Sequence, residues 1–160
     1  MTGWLRAACV TVALLGIGCF DSSVPLGPPE RGQVDKALVG TWNCTDPKDP
    51  TKTARLWVIP FDTHQYYAEW RDGDEVSRYR AYSTRIGSTS LFNVEELTFR
   101  LSSAGWVFLR AMRGAGGSLT LSLVEKDSLK GLTGTAALQD IRRRVNDDGL
   151  YSEFAICKPE

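Results

Sequence analysis

Residues 118–124 alternate with a strict period of two. Leu119, Leu121 and Leu123 take one face, and Ser118, Thr120 and Ser122 take the other. That pattern commits the segment to a strand with one apolar and one wet side. Similar short segments fill most of the chain, at residues 38–44, 54–61, 65–71, 77–85, 90–97, 105–112 and 151–157. Turn chemistry separates many of them: Asp62-Thr63-His64, Asp72-Gly73-Asp74, Gly87-Ser88-Thr89 and the glycine-rich run 113–117. One segment breaks the period. Leu138, Ile141 and Val145 are spaced for a helix over about residues 135–146, with Thr135 as N-cap and Asn146-Asp147-Asp148-Gly149 as the stop. Arg142, Arg143 and Arg144 fall in its last turn and read as a solvated face that suits the helix dipole. The expected fold is mainly β: about eight antiparallel strands in an up-and-down barrel or a strongly curved sheet, with this helix before the last strand.

The N-terminus carries a different message. Ala7 to Ile17 is an uncharged apolar stretch behind Arg6, long enough for an export signal. It is too short to cross a bilayer, which takes ~20 apolar residues. Leu14-Leu15-Gly16-Ile17-Gly18-Cys19 resembles the lipobox of bacterial lipoproteins, although Leu15 stands one residue further from the cysteine than the family pattern has it. The resemblance implies that Cys19 is lipidated and becomes the first mature residue. The protein would then sit in the bacterial cell envelope, held to the outer or cytoplasmic membrane by acyl chains such as palmitate. Each buried methylene of such chains adds ~0.8 kcal/mol of membrane affinity. Gly16-Ile17-Gly18 also fits ordinary signal cleavage, which leaves a secreted protein as the alternative. Both routes make residues 1–18 a signal peptide. Residues 19–36 hold Pro25, Pro28, Pro29, Gly27 and Gly32 with no hydrophobic period, and read as a flexible tether. Residues 37–160 are then the barrel domain.

Cys44 and Cys157 remain alone in that domain. Two thiols and one distant histidine make a poor metal site, so in an oxidising compartment the pair is expected as a disulfide. Each lies near the C-terminal end of its strand. In a simple antiparallel closure those ends sit at opposite rims, so the disulfide predicts a last strand that runs parallel to the first, returned by the helical connection.

Gly40-Thr41-Trp42 on the first strand resembles the Gly-x-Trp signature of lipocalins and related small barrels. The resemblance implies that Trp42 plugs the closed end and that a helix follows most of the strands. It also implies an Arg packed on that Trp, for which Arg110 is the positional candidate. A full strand after the helix departs from the family pattern.

Chemistry for catalysis is sparse. The single histidine, His64, sits in an expected turn. Asp72-Gly73-Asp74-Glu75 lacks the spacing of a calcium loop. Glu69, Glu95 and Glu96 fall on expected strands. No nucleophile elbow, P-loop, zinc signature or dinucleotide fingerprint is present. No catalytic residue, metal or cofactor is expected, and the protein is read as not an enzyme. Lys+Arg and Asp+Glu balance at 19 each, which argues against nucleic acid as a partner.

Aromatic residues are the richest resource. Trp57, Tyr66, Trp70, Tyr79, Trp106 and Phe108 are the candidates for lining a cavity that holds a small apolar or amphipathic ligand. Their other reading is a filled core. Arg78 and Arg80 share a strand face with Tyr82 and are expected to face water. Two functions follow: a tethered barrel that binds a small molecule, or a protein-interaction module such as an envelope assembly factor or a lysozyme-inhibitor-like protein. A hollow interior favours the first. A filled core with an exposed apolar patch favours the second.

Overall fold

The computed structural model describes residues 19–97 and 105–160. The expected signal peptide, residues 1–18, lies outside them. Among the described residues nine strands form: β1 (Asp21–Ser22), β2 (Gly40–Thr45), β3 (Thr53–Pro60), β4 (Tyr66–Asp72), β5 (Glu75–Ile86), β6 (Thr89–Glu96), β7 (Trp106–Arg113), β8 (Leu119–Val124) and β9 (Tyr151–Pro159). One α-helix, α1 (Gly134–Arg143), precedes the last of them. From β2 to β9 every consecutive pair is antiparallel, and β9 also pairs with β2. The result is a closed eight-stranded antiparallel barrel, which leaves no long sheet edge exposed.

The closure corrects one expectation. β9 runs antiparallel to β2, not parallel. The two strands overlap only from Trp42 opposite Pro159 to Thr45 opposite Ile156. Barrel stagger brings the C-terminal ends of both strands together, so an antiparallel seam and a Cys44–Cys157 contact are compatible. Cys44 and Cys157 are direct register partners with Cα atoms 3.9 Å apart, and they are joined by a disulfide.

The barrel has apolar residues on both sides of its wall. Inside, Trp42, Leu119, Leu121, Ala155 and the disulfide form one buried cluster. Outside, Leu91, Phe108, Val124 and Tyr151 form a second, covered by Ala137 and Ile141 of α1 and by Phe20 and Leu26. Burying a Leu or Phe side chain stabilises by ~1.5–3 kcal/mol. The outer cluster therefore holds helix and N-terminal segment firmly against β6–β8.

Residues 19–36 are not a slack tether. They form a strap along the outer wall. Its backbone is secured at many points: the Leu26 amide donates to Asn93 Oδ1 at 2.7 Å, Tyr82 Oη donates to Gly27 O at 2.7 Å, and His64 Nδ1 lies 2.8 Å from Gly32 O. Gly32 is required there, since a Cβ would come within 2.6 Å of the His64 carbonyl oxygen. Arg142 also donates to Leu26 O, and Arg144 pairs with Asp140 and Asp147. The arginine run thus fastens strap and helix instead of only facing water. Composition suggested coil because the strap has no period. Its few apolar side chains are matched to sites supplied by distant strands.

The start of the strap completes the barrel wall. β7 and β8 pair only from Leu109 opposite Leu123 to Arg113 opposite Leu119, then diverge. β1 pairs with the freed start of β7, Asp21 opposite Val107 and Ser22 opposite Trp106. Phe20 N donates to Val124 O at 3.1 Å, and Cys19 bridges to Glu125. Residues 19–22 fill the gap between two strands.

The helix starts one residue before the expected Thr135, and its N-cap position is Thr133, which makes no side-chain capping bond. Asp147 caps the following turn instead, accepting from Gly149 N at 2.9 Å.

Candidate functional site

The inner wall is built by alternation. Leu56 and Val58 of β3 point inward, as do Tyr66, Ala68 and Trp70 of β4, Tyr79 and Ala81 of β5, and Phe92 and Val94 of β6. Val107, Leu109 and Ala111 of β7 face them from the other side. Ala68, Ala81, Ala111 and three valines are too small to meet across an eight-stranded barrel. They leave an apolar cavity of about 420 Å³, within the ~300–1,000 Å³ usual for ligand pockets.

A short cap lines one end of the cavity. A short 3-10 turn, Lys36–Leu38, precedes β2, and Trp42 Nε1 donates to Leu38 O at 3.1 Å. Both side chains line the cavity, as does Tyr66, whose hydroxyl accepts from Asp35 N at 2.5 Å. Asp35 also accepts from Ala37 N at 2.9 Å, and Arg113 donates to its other oxygen at 2.7 Å. These bonds, the Ala37 amide foremost, hold the Asp35 carboxyl below its usual range. Gly40, with φ of 143°, lets the chain turn from this cap into β2.

The other end lies where β6 stops and β7 begins. Cys19, Asp21, Glu96 and Gly105 line the cavity there. Gly105 has φ of 86°, and a Cβ on it would stand 3.2 Å from Ser22 O and 3.6 Å from Asp21 Oδ2. The wall at this mouth therefore depends on a glycine. Burial pushes the Cys19 thiol up, with the Glu125 charge adding to the effect. Burial also pushes the Tyr79 hydroxyl up to about 12, against a bond to Ser77, with Glu96 adding a smaller push.

The six aromatic candidates divide by strand parity. Tyr66, Trp70 and Tyr79 line the cavity. Trp57, Trp106 and Phe108 do not. Trp57 is 42% exposed on the outer wall, where its ring meets Tyr67 edge-on at 6.2 Å. Trp106 packs edge-on to Tyr82 at 5.4 Å beneath the strap. Phe108 is fully buried outside the barrel, 6.1 Å from Phe20. Trp42, Phe92 and Phe154 are the lining aromatics absent from the six. Parity was the available signal: Trp106 and Phe108 share a face with Arg110, while Val107, Leu109 and Ala111 occupy the other.

Arg110 does not pack on Trp42. It faces outward, its guanidinium 3.8 Å from the Tyr151 ring centroid and 2.9 Å from Asp148. Arg78 and Arg80 are half-exposed and paired, with Glu69 at 3.4 Å and Glu95 at 2.6 Å respectively. Arg71 shares the Glu69 carboxylate at 2.7 Å and, as the nearest donor, holds its pKa down.

Among the described residues no three His, Cys, Asp or Glu side chains converge as metal ligands, and no helix is long and apolar enough to cross a membrane. The chain matches no family model, no curated protein and no solved structure.

Proposed function

We propose that this protein is a non-catalytic barrel that holds an elongated apolar or amphipathic molecule, anchored in a bacterial envelope through lipid on Cys19. The apolar cavity of about 420 Å³ carries the first half of this reading. A filled barrel would have favoured a purely structural or interaction role. In this reading the cap at Leu38 and Trp42 is the floor of the well and ligand enters at the Cys19 end.

Anchoring at Cys19 would have a geometric consequence. Phe20 and Ser22 are buried in the wall, so no slack separates the lipidation site from the domain. The mouth of the well would lie against the membrane, where an apolar ligand could pass directly between bilayer and barrel.

Native mass spectrometry of protein purified from its own host tests both halves. The expected spectrum shows an acyl mass on Cys19 and a non-covalent small molecule that leaves on activation. An unmodified N-terminus would remove the anchor. A ligand-free spectrum, together with no uptake of apolar fluorophores, would remove the binding role.

The interaction-module reading draws on Trp57 and Phe61, which are 42% and 67% exposed on β3 and the turn after it. A partner that survives alanine substitution of both would sink that reading.

A further inference from the structure

Twenty of the residues lining the well are uncharged, and the two charged ones, Asp21 and Glu96, are both acidic. They flank Gly105 at the mouth. Several other acidic side chains are matched: Glu69 by Arg71 and Arg78, Glu95 by Arg80, Asp35 by Arg113 and Asp148 by Arg110. Asp21 and Glu96 have no ion pair or side-chain hydrogen bond among the described residues, and no Lys or Arg there lines the well. Glu96 is half-buried beside apolar walls, where an unmatched charge is less well solvated than in open water.

We propose that the ligand is a cationic amphiphile: an alkyl tail in the well and an ammonium or guanidinium head between Asp21 and Glu96. This rests on the reading of the barrel as a ligand-binding well and adds the chemical class of the ligand. At the cap end the polar groups nearest the well are already used. Tyr66 Oη and Asp35 bond to backbone amides, and Trp42 Nε1 bonds to Leu38 O. The tail therefore points to Trp42 and the head to the mouth. A carboxylate or phosphate head would face two like charges.

Three probes of equal chain length separate the terms: dodecylamine, dodecanol and dodecanoate, titrated below micelle formation and followed by the fluorescence of Trp42 and Trp70. The amine is expected to bind about tenfold more tightly than the alcohol, the scale of one charge-assisted hydrogen bond. Dodecanoate is expected to be weakest. Asp21→Asn with Glu96→Gln should bring the three together. Added salt should shrink the amine preference in the unsubstituted protein, a readout that does not depend on the variant folding. Equal binding of all three, tighter binding of dodecanoate, or an amine preference that survives the double substitution would overturn the head-group assignment and leave the well in place. Binding of none would overturn the well and this proposal together.

Discussion

Cys44 and Cys157 are opposite each other across the seam where the first and last barrel strands meet. Only four residue pairs join β2 to β9 there, and the disulfide is one of them. The bond ties positions 113 residues apart, and both cysteines are almost fully buried.

Opening that bond should loosen the barrel at this four-pair seam. In the chain-entropy account a loop of this size contributes ~4–5 kcal/mol. Cys44→Ala with Cys157→Ala is expected to lower Tm by roughly 10–20 °C. Calorimetry with and without reductant checks it. An unchanged Tm would mean that the seam holds without the bond.

Asn93 is the buried anchor of the strap. It is fully buried, it accepts from Leu26 N, and its amide donates to Tyr82 O at 3.2 Å and Thr84 Oγ1 at 2.8 Å. Asn93→Ala leaves the Leu26 amide without that acceptor and should cost ~1–3 kcal/mol. Phe20→Ala empties a site beside Phe108 and should cost ~3–5 kcal/mol. Hydrogen exchange should locate the loss of protection in residues 19–36 and α1. Protection unchanged there would show that the strap is not held as described.

Aromatic substitutions should divide by the side of the wall they occupy. Trp70→Ala removes a lining ring and should weaken binding of an apolar fluorophore. Trp57→Ala removes an outer ring and should leave it unaltered. Ala68→Phe puts bulk into the well and is expected to reduce occupancy by tenfold or more, the cost of a severe overlap of ~1–3 kcal/mol. Equal effects at Trp57 and Trp70 would contradict the assignment of inner and outer faces.

Three tyrosines should govern alkaline stability. Burial pushes Tyr79, Tyr82 and Tyr151 up to about 12. Tyr82 and Tyr151 also donate their hydroxyls to Gly27 O and Val145 O, each at 2.7 Å. In the unfolded chain the same groups ionise near 10. The folded state therefore holds more protons between these values. Stability is fully present below about pH 10 and falls as pH rises towards 12. Phenolate absorbance should show a late, cooperative phase that coincides with unfolding. Independent titration of all tyrosines near pH 10 would contradict it.

Much of the architecture was legible along the chain. Strict alternation in residues 118–124 and the spaced turn residues marked all eight barrel strands and the helix between the last two. The disulfide followed from two cysteines left alone in a domain. These are local or counting signals. They survive without knowledge of what each segment packs against.

The cavity was only half legible, and Phe108 shows why. Alternation says which residues share a face, but not which face turns inward. An ordinary small barrel wets its outer wall, so aromatic residues on strands look like interior ones. Here α1 and the strap bury the outer wall of β6–β8, and both faces of β7 carry large apolar side chains. Phe108 and Val107 are neighbours in sequence on opposite sides of that wall.

The sequence alone determined the strands, the helix and the cysteine pair, because period, turn chemistry and composition are properties of short stretches. Tertiary structure decided the rest. It set the stagger that lets Cys44 meet Cys157 across an antiparallel seam. It turned a Pro/Gly stretch into a fastened strap, since Phe20 and Leu26 find their partners on strands more than sixty residues away. It also brought Asp21 and Glu96 to one mouth. Long-range pairing depends on register and closure, and no local pattern of residues encodes either.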